Sequence, residues 1–242
     1  MTLIKQGTKI SCDENGNVLS YKNPKGPVLA VDEKGKDVTS LLKKKDSKSF
    51  RAFHQSSLTL KFSREEKIKN ARLVIRMKGF ERIEERWKPI PGKVGVQIQT
   101  KDKDGTWQTR YHMNPRNEWD IAVFNLNPFL NNENNLEVRL FITQCRTDKY
   151  HLIDFAGLDI SKPQELKVAM LDVKKAVHSF LGVVTDDLSK EDRIYVQTYP
   201  LEWIEIYFDR LEVPKGERDF IFVSRGHYLY FEGDAAVRLK GH

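Results

Sequence analysis

A gapless repeat relates the first and last parts of this chain. Val38 and Thr39 recur as Val184 and Thr185, a shift of 146 residues (184 − 38 = 146). The same shift matches similar residues at six further positions: Leu42 with Leu188, Asp46 with Asp192, Leu58 with Ile204, Leu60 with Ile206, Phe62 with Phe208, and Arg72 with Arg218. Self-similarity at a fixed period is typical of a duplicated structural unit. The sequence therefore predicts two related units with a different segment between them.

Strict alternation of side-chain character predicts strands. Ala71, Leu73, Ile75 and Met77 alternate with a largely basic set, so one face of this strand points into a core. Similar strand patterns occur at 58–62, 94–99, 136–142, 204–208 and 220–223. Only 38–44 and 172–180 have patterns that predict short helices. We therefore expect an all-β fold, an antiparallel β-sandwich or jelly roll with an internal duplication of flanking β-units.

Turn residues and charge divide the chain into three sections. Asn15-Gly16, Gly35 and Gly105 suit tight turns, and the run from Pro89 to Gly92 interrupts the strand pattern. We expect a basic N-terminal β-unit at 1–82 and a sandwich section at 83–165. A C-terminal β-unit at 166–242 would repeat residues 30–80 at the offset of 146.

The middle of the chain resembles galactose-binding-like jelly-roll domains. The resemblance covers about residues 70–162 and rests on Phe124-Asn125-Leu126-Asn127-Pro128-Phe129-Leu130, the polar turn 131–135 and the strand that follows it. The passage from His151 to Ile160 resembles the closing strand of such domains. This chain has Asn125 where the family usually has Asp, and it has no glycine in the turn. Such domains accompany many glycoside hydrolases, so the resemblance implies a sandwich fold and a carbohydrate context.

Positive charge is concentrated in the first third of the chain. Residues 1–90 contain 21 Lys and Arg against 11 Asp and Glu, a net charge of +10, whereas the remainder has 20 against 23, a net charge of −3. The outward face of the strand at 71–78 carries Arg72, Arg76 and Lys78, which predicts a basic surface. Two explanations remain open, a well-solvated lysine-rich surface or an acidic partner such as nucleic acid.

The sequence contains no signal-peptide pattern and no 18-residue apolar run, so we expect a cytoplasmic protein without a membrane partner. In that compartment Cys12 and Cys145 are expected as buried thiols rather than as a disulfide.

Motifs that carry catalysis do not occur in the sequence. It has no Walker-type loop, dinucleotide fingerprint, Cys-x-x-Cys pair, His-Glu-x-x-His or Gly-x-Ser-x-Gly, so we expect no enzyme activity, no cofactor and no metal. The best scattered set is His112, His151, Asp154 and Asp159. Since Asp154 and Asp159 are five residues apart on a strand pattern, we expect them on opposite faces unless a bulge intervenes.

Aromatic residues next to arginines give the clearest candidate ligand-binding site. Trp87 lies in an Arg-rich segment before Pro89, and Trp107 is followed by Arg110 and His112. A flat ring stacks on a pyranose or a base, while guanidinium supplies fixed donors. We therefore predict Trp87, Trp107, Arg110 and His112 as ligand-binding residues, with plugging of the open end of the sandwich as the alternative role of the tryptophans. Trp119 and Trp203 are expected in the core.

Three functional classes follow from the sequence. The first is a non-catalytic β-sandwich module that binds carbohydrate or a protein partner. The second is a nucleic-acid-binding protein that uses the basic N-terminal third. The third is a carbohydrate-active hydrolase. The adjacent acidic pairs Glu84-Glu85 and Asp186-Asp187 could in principle supply its two carboxylates, but sequence neighbours point apart. The ligand and the oligomeric state remain open.

Overall fold

A computed structural model gives the structure of this chain. It describes residues 7–12, 17–46, 48–64, 67–79, 95–116, 118–131, 135–144, 150–166, 168–190, 192, 194–209, 220–222 and 224. The strands, numbered in chain order, are β1 Lys9–Cys12, β2 Val18–Tyr21, β3 Leu29–Asp32, β4 Phe50–Phe53, β5 Ser57–Ser63, β6 Arg72–Lys78, β7 Gly95–Lys101, β8 Trp107–Met113, β9 Asp120–Asn125, β10 Asn135–Gln144, β11 Tyr150–Asp159, β12 Val173–His178, β13 Gly182–Val183 and β14 Ile204–Phe208. Single 3-10 turns form at Thr39–Leu41 and Asn127–Phe129, and a short helix, α1, spans Thr185–Leu188.

The predicted all-β class is confirmed. Strands make up about 49% and helices about 6% of the described residues. The chain divides into two compact units, a sandwich unit at Lys5–Glu165 and a C-terminal unit that begins at Leu166. The sequence-based boundary between 82 and 83 lies inside the sandwich unit, because β10 pairs with β5 and β11 pairs with β6 across it.

Two antiparallel sheets form the sandwich unit. One has the order β3-β5-β10-β7-β8 and the other has the order β4-β11-β6-β9. If the eight strands from β4 to β11 are numbered one to eight, the four-stranded sheet has the order 1-8-3-6 and the five-stranded sheet has the order 2-7-4-5 after β3. Each sheet therefore contains strands from both halves of the segment between β4 and β11. This interleaving is the arrangement of a double-sheet jelly roll.

The core lies between these two sheets and follows from the alternation in the sequence. Leu58, Leu60 and Phe62 of β5 point inward and are at most 1% exposed. Leu73 and Ile75 of β6 meet them from the other sheet and are fully buried. Each such side chain contributes roughly 1.5–3 kcal/mol of burial free energy, so the inward-facing rows of β5 and β6 stabilise the contact between the two sheets.

The β1-β2 hairpin packs against the outer face of the four-stranded sheet. Tyr21 forms a second apolar cluster with Val74, Val123 and Phe155. Gly157 permits this packing, because a Cβ atom at that position would lie 2.7 Å from the Phe155 ring. The hairpin therefore covers the centre of this sheet. Cys12 of the hairpin carries a free thiol and is half-buried, and Cys145 lies outside the described residues.

The two copies of the 146-residue repeat have the same pairing of residues between neighbouring strands. In β3, Ala30 pairs with Leu60 and Asp32 pairs with Leu58. In β12, the residues 146 positions later make the equivalent pairs, Ala176 with Ile206 and His178 with Ile204. The two copies therefore share the same strand register.

The Val-Thr pair of each copy has the same structural role. The amide of Val38 donates to the carbonyl of Ala30 at 2.9 Å, and Oγ1 of Thr39 accepts from the amide of Ala30 at 2.7 Å. In the second copy, Val184 and Thr185 bond to Ala176 at 3.0 Å in both cases. Valine packs inward while threonine satisfies a backbone amide, which explains why these two residue types recur together.

The two copies differ in burial. Leu60 is fully buried, whereas Ile206 is half-buried. Leu60 lies on β5, which has β3 on one side and β10 on the other. Ile206 lies on β14, which is an edge strand of the C-terminal sheet β13-β12-β14 among the described residues. The repeat therefore predicts the position of Ile206 in the strand register, but it does not predict its burial.

Several local predictions need correction. The helix predicted at 172–180 is the strand β12, because burial in its second half alternates with a period of two. Residues 220–222 form no strand, and Phe220 is 81% exposed. The core position predicted for Trp203 is wrong, since it is 60% exposed, and Trp119 is half-buried. Gly35 and Gly105 do occupy tight turns, with φ of 79° and 84°.

The different burial of the two copies can be tested by truncation. We expect Leu60→Ala to lower the free energy of unfolding by about 2–5 kcal/mol, because it opens a cavity in a closed core. Ile206→Ala is expected to cost less than half as much, because water already reaches that position. Urea unfolding of both variants measures the difference, and equal losses would contradict it.

Candidate functional site

The outer face of the five-stranded sheet carries a row of polar side chains around one tryptophan. Alternation sends Leu136, Val138 and Leu140 of β10 inward, so Glu137 and Arg139 point outward. Strand pairing places Glu137 opposite Lys61 and Arg139 opposite Gln99. We call this surface the ladder face, and its polar and aromatic members are Lys61, Gln97, Gln99, Lys101, Trp107, Thr109, His112, Glu137 and Arg139.

Two cations contact the ring of Trp107 on the ladder face. The guanidinium carbon of Arg139 is 4.6 Å from the ring centre, and Nζ of Lys101 is 5.1 Å from it. Lys101 is the cross-strand partner of Trp107 in the β7-β8 pair. Such cation-π contacts favour a fixed ring position. The half-buried indole therefore belongs to the sheet surface and does not plug the end of the sandwich.

Gln99 organises the centre of the ladder face. Its Oε1 accepts a hydrogen bond from Nε of Arg139 at 2.6 Å, and its Nε2 donates to Oε1 of Gln97 at 2.8 Å and to Oγ1 of Thr109 at 3.1 Å. Thr109 in turn donates to Oε1 of Gln97 at 3.1 Å. These contacts fix the donor and acceptor ends of both amides. The ladder face is therefore preorganised for directional hydrogen bonding.

Glu137 is neutralised by two lysines. Its carboxylate forms an ion pair with Lys61 at 3.0 Å and a second one with Lys101. The hydrogen bond from Lys101 is the main reason that the pKa of Glu137 lies below its usual range; burial opposes this effect, and Lys61 adds to it. The carboxylate therefore stays ionised and holds both lysines along the sheet.

The four predicted ligand-binding residues do not all lie together. Trp107 and His112 share the ladder face, where His112 is exposed opposite Gln97. Arg110 is the extra residue of a bulge between them, and its guanidinium lies 4.6 Å from the centre of the Phe129 ring. It also donates to Thr100 and pairs with Asp102, so Arg110 belongs to the sandwich rim. Trp87 lies outside the described residues.

The basic surface predicted on β6 is wrong for Arg72. This side chain is only 2% exposed and donates two hydrogen bonds to the same oxygen of Asp159, Oδ2, at 3.1 Å from Nε and 2.6 Å from Nη2. Arg76 is half-buried, pairs with Asp154 and lies 4.5 Å from the centre of the Trp119 ring. Lys78 lies 3.9 Å from the carboxylate of Glu118. Each of the three cations thus faces a carboxylate.

Asp159 connects several chain segments through this buried contact. Besides Arg72, it accepts hydrogen bonds from the amides of Lys22 and Asn23 and from the amide and hydroxyl of Ser161. Burial alone would raise the pKa of Asp159, but the hydrogen bonds from Arg72 and Ser161 and the charge of Arg72 hold it below its usual value. Asp159 is therefore a structural anion.

A bulge resolves the question of which faces Asp154 and Asp159 occupy. The pairing of β11 with β6 shifts register between Ile153 and Phe155, so Asp154 is the extra residue. Both carboxylates consequently meet arginines on the same face of β6. Burial raises the pKa of Asp154, and Arg76 and Lys45 oppose this rise. The scattered set of His and Asp residues is divided, because His112 lies on β8 and the other three lie on β11. No group of three or more His, Cys, Asp and Glu suited to a metal ion occurs among the described residues.

Sequence reasoning missed most of the ladder face. The alternation of β7 and β10 predicts that their polar side chains point outward. These side chains are Gln97, Gln99, Glu137 and Arg139. Their contact with Trp107 depends on the strand order β10-β7-β8, which the sequence does not display.

Comparison with known proteins identifies no relative of this chain. Neither a family model nor a curated protein nor a solved structure matches it. Within the described part of the chain, the helices are too short and too polar to cross a lipid bilayer.

The Arg72–Asp159 contact predicts a pH-dependent contribution to stability. Asp159→Asn should lower the free energy of unfolding by about 3–5 kcal/mol at neutral pH, because the Arg72 charge stays buried without a counter-ion. The pKa of Asp159 is lower in the folded state than its unfolded value of about 3.9. Its contribution is therefore present above about pH 4 and is lost as pH falls through the folded-state pKa.

Denaturant unfolding of wild type and variant between pH 7 and pH 2 measures this difference. The gap between the two proteins should narrow on the acid side. Glu118→Gln is the matched control, because its carboxylate is 90% exposed and pairs at the surface, and it should leave stability almost unchanged. A gap that widens on acidification would contradict the assignment.

Proposed function

We propose that this chain is a non-catalytic β-sandwich module that binds carbohydrate on the ladder face. The observation that carries the proposal is the Trp107 ring, fixed by Arg139 and Lys101 beside an ordered row of amides and hydroxyls. A pyranose has an apolar C–H face and a rim of hydroxyls that both donate and accept. The indole can stack on the apolar C–H face, and the side chains of Gln97 and Thr109 can exchange hydrogen bonds with the hydroxyls.

The extent of the ladder face favours an oligosaccharide. Trp107 and His112 are five residues apart on β8 with one residue in a bulge, which corresponds to about 13 Å at the rise of a β-strand. Neighbouring strands add polar groups at intervals of about 5 Å. A chain of sugars lying along β8 would thus reach the ring, the central amides and His112 in succession.

The galactose-binding-like resemblance supports the same proposal through its context. Its most specific passage forms a turn in which Oδ1 of Asn127 accepts from the amide of Ala71 at 2.6 Å, and Phe129 packs against Tyr111. These contacts close one end of the sandwich and do not form a ligand site. We therefore carry over from the resemblance the carbohydrate context and place the binding surface on the ladder face.

The two rival functions have less physical support. Nucleic-acid binding needs cations that exchange counter-ions for phosphates, whereas Arg72, Arg76 and Lys78 each face a protein carboxylate. A glycoside hydrolase of the common kind needs two carboxyl groups on either side of a substrate. Asp154 and Asp159 are instead occupied by arginines.

Glycan binding with tryptophan variants tests the proposal. An array of oligosaccharides should identify ligands, and Trp107→Ala should weaken their binding about tenfold or more, since it removes the stacking surface. Trp119→Ala is the matched control, because Trp119 stacks with Arg76 at a similar distance of 4.5 Å on the other sheet. Its glycan affinity should equal that of the wild type. Chromatography of the glycans after incubation should recover them intact.

Four results would overturn the proposal. The first is the absence of binding to any glycan, and the second is an equal effect of Trp107→Ala and Trp119→Ala. The third is sub-micromolar nucleic-acid binding that survives physiological salt, which would place nucleic acid first, because non-specific phosphate contacts weaken steeply with salt. The fourth is the release of shorter sugars, which would indicate a hydrolase.

A further inference from the structure

Arg139 is held in one orientation on the ladder face. Its Nε donates to Gln99 at 2.6 Å, and its guanidinium carbon lies 4.6 Å from the centre of the Trp107 ring. The first contact fixes one edge of the guanidinium plane and the second fixes one of its faces. The opposite edge, which carries the two Nη atoms, is therefore preorganised.

The Nη atoms of Arg139 have no protein acceptor among the described residues, and no described carboxylate lies within ion-pair distance of them. Arg72, Arg76 and Arg110 differ in this respect, because each forms an ion pair with an aspartate. Glu137 lies two residues away on the same strand face, but its carboxylate is taken by Lys61 and Lys101. Arg139 thus keeps a net charge that the sandwich does not balance.

This arrangement has an energetic cost that a ligand could remove. Arg139 is half-buried, and burial lowers its pKa because the charged form loses solvation. A partly desolvated charge is stabilised by a counter-ion with matching geometry. The two free N–H groups on the Nη edge form a fork that fits a carboxylate through two parallel hydrogen bonds.

We infer that the glycan bound by the ladder face contains a uronic acid and that Arg139 binds its carboxylate. This inference rests on the carbohydrate-binding function proposed above. In a uronic acid the carboxylate is attached to the pyranose ring, so one sugar presents an apolar face for Trp107 and an anion for the neighbouring Arg139. Lys101, whose ammonium lies 5.1 Å from the Trp107 ring centre, adds positive potential at the same place.

Isothermal titration with a matched pair of glycans tests this inference. The probes are oligogalacturonate and its methyl ester, which have the same backbone and differ in charge. We expect wild-type protein to bind the free acid about 10- to 100-fold more tightly, the range for charge-assisted hydrogen bonds. This comparison needs no variant, so it does not depend on whether a variant folds.

Variants then assign the preference to one side chain. Arg139→Gln should abolish the preference for the acid, and Arg139→Lys, which keeps the charge but loses the fork, should restore only part of it. The matched control is Arg51→Gln. Arg51 also stacks on an aromatic ring, at 5.0 Å from the centre of Tyr150, but on β4 of the other sheet. It should retain the wild-type preference.

The outcomes separate this inference from the function on which it rests. Equal binding of acid and ester would overturn the uronate assignment and leave carbohydrate binding intact. Equally tight binding of dextran sulfate would also overturn it, because it would indicate general attraction to polyanions. If neither acidic nor neutral glycans bind, the proposed function fails first. An unchanged preference in Arg139→Gln would show that another residue reads the carboxylate.

Discussion

The buried ion pair between Arg72 and Asp159 is the contact on which the four-stranded sheet depends. It links β6 to β11 and, through the amides of Lys22 and Asn23, links both strands to the chain that leaves the β1-β2 hairpin. A charge in this place is stable only with its partner, because either ion alone would remain desolvated. The same carboxylate therefore contacts both the sheet and the end of the hairpin, directly after Tyr21 of the second apolar cluster.

The two sheets use their cations differently. On the four-stranded sheet, Arg72 and Arg76 form ion pairs with aspartates of β11. The strand β6 looks strongly basic in sequence, but these two charges are neutralised within the protein. On the five-stranded sheet, the single carboxylate of Glu137 pairs with two lysines and leaves Arg139 without a counter-ion among the described residues. The overall positive charge therefore does not by itself predict a nucleic-acid partner. The distribution of carboxylates among the cations is what led us to propose the ladder face as a binding surface.

Alternation made much of the fold predictable. Residues 58–62, 71–78, 94–99 and 136–142 were recognisable as strands because each buries one face against a core, and the repeat was legible because Val-Thr recurs with its register. The ladder face was predictable only in part. Trp107 and His112 could be selected by residue type, whereas Gln99 and Arg139 become partners of Trp107 through pairing between distant strands. Arg110 was misplaced because a bulge changes the direction of side chains, and β12 was mistaken for a helix because its polar residues obscure a period of two.

The bulge at Asp154 has a consequence for how this strand can change over evolutionary time. Phe155 and Asp154 both lie opposite Arg76, and from Ala156 to Asp159 the strand continues in regular register with β6. Loss of the Asp154 codon would therefore leave every later side chain of β11 on its present face, with Leu158 still in the core and Asp159 still against Arg72. Deletion of one residue between 156 and 158 would instead move the side chains between the deletion and the bulge to the opposite face of the sheet. Asp154 is thus a single-residue insertion. Its gain or loss would leave the register of the rest of the strand unchanged.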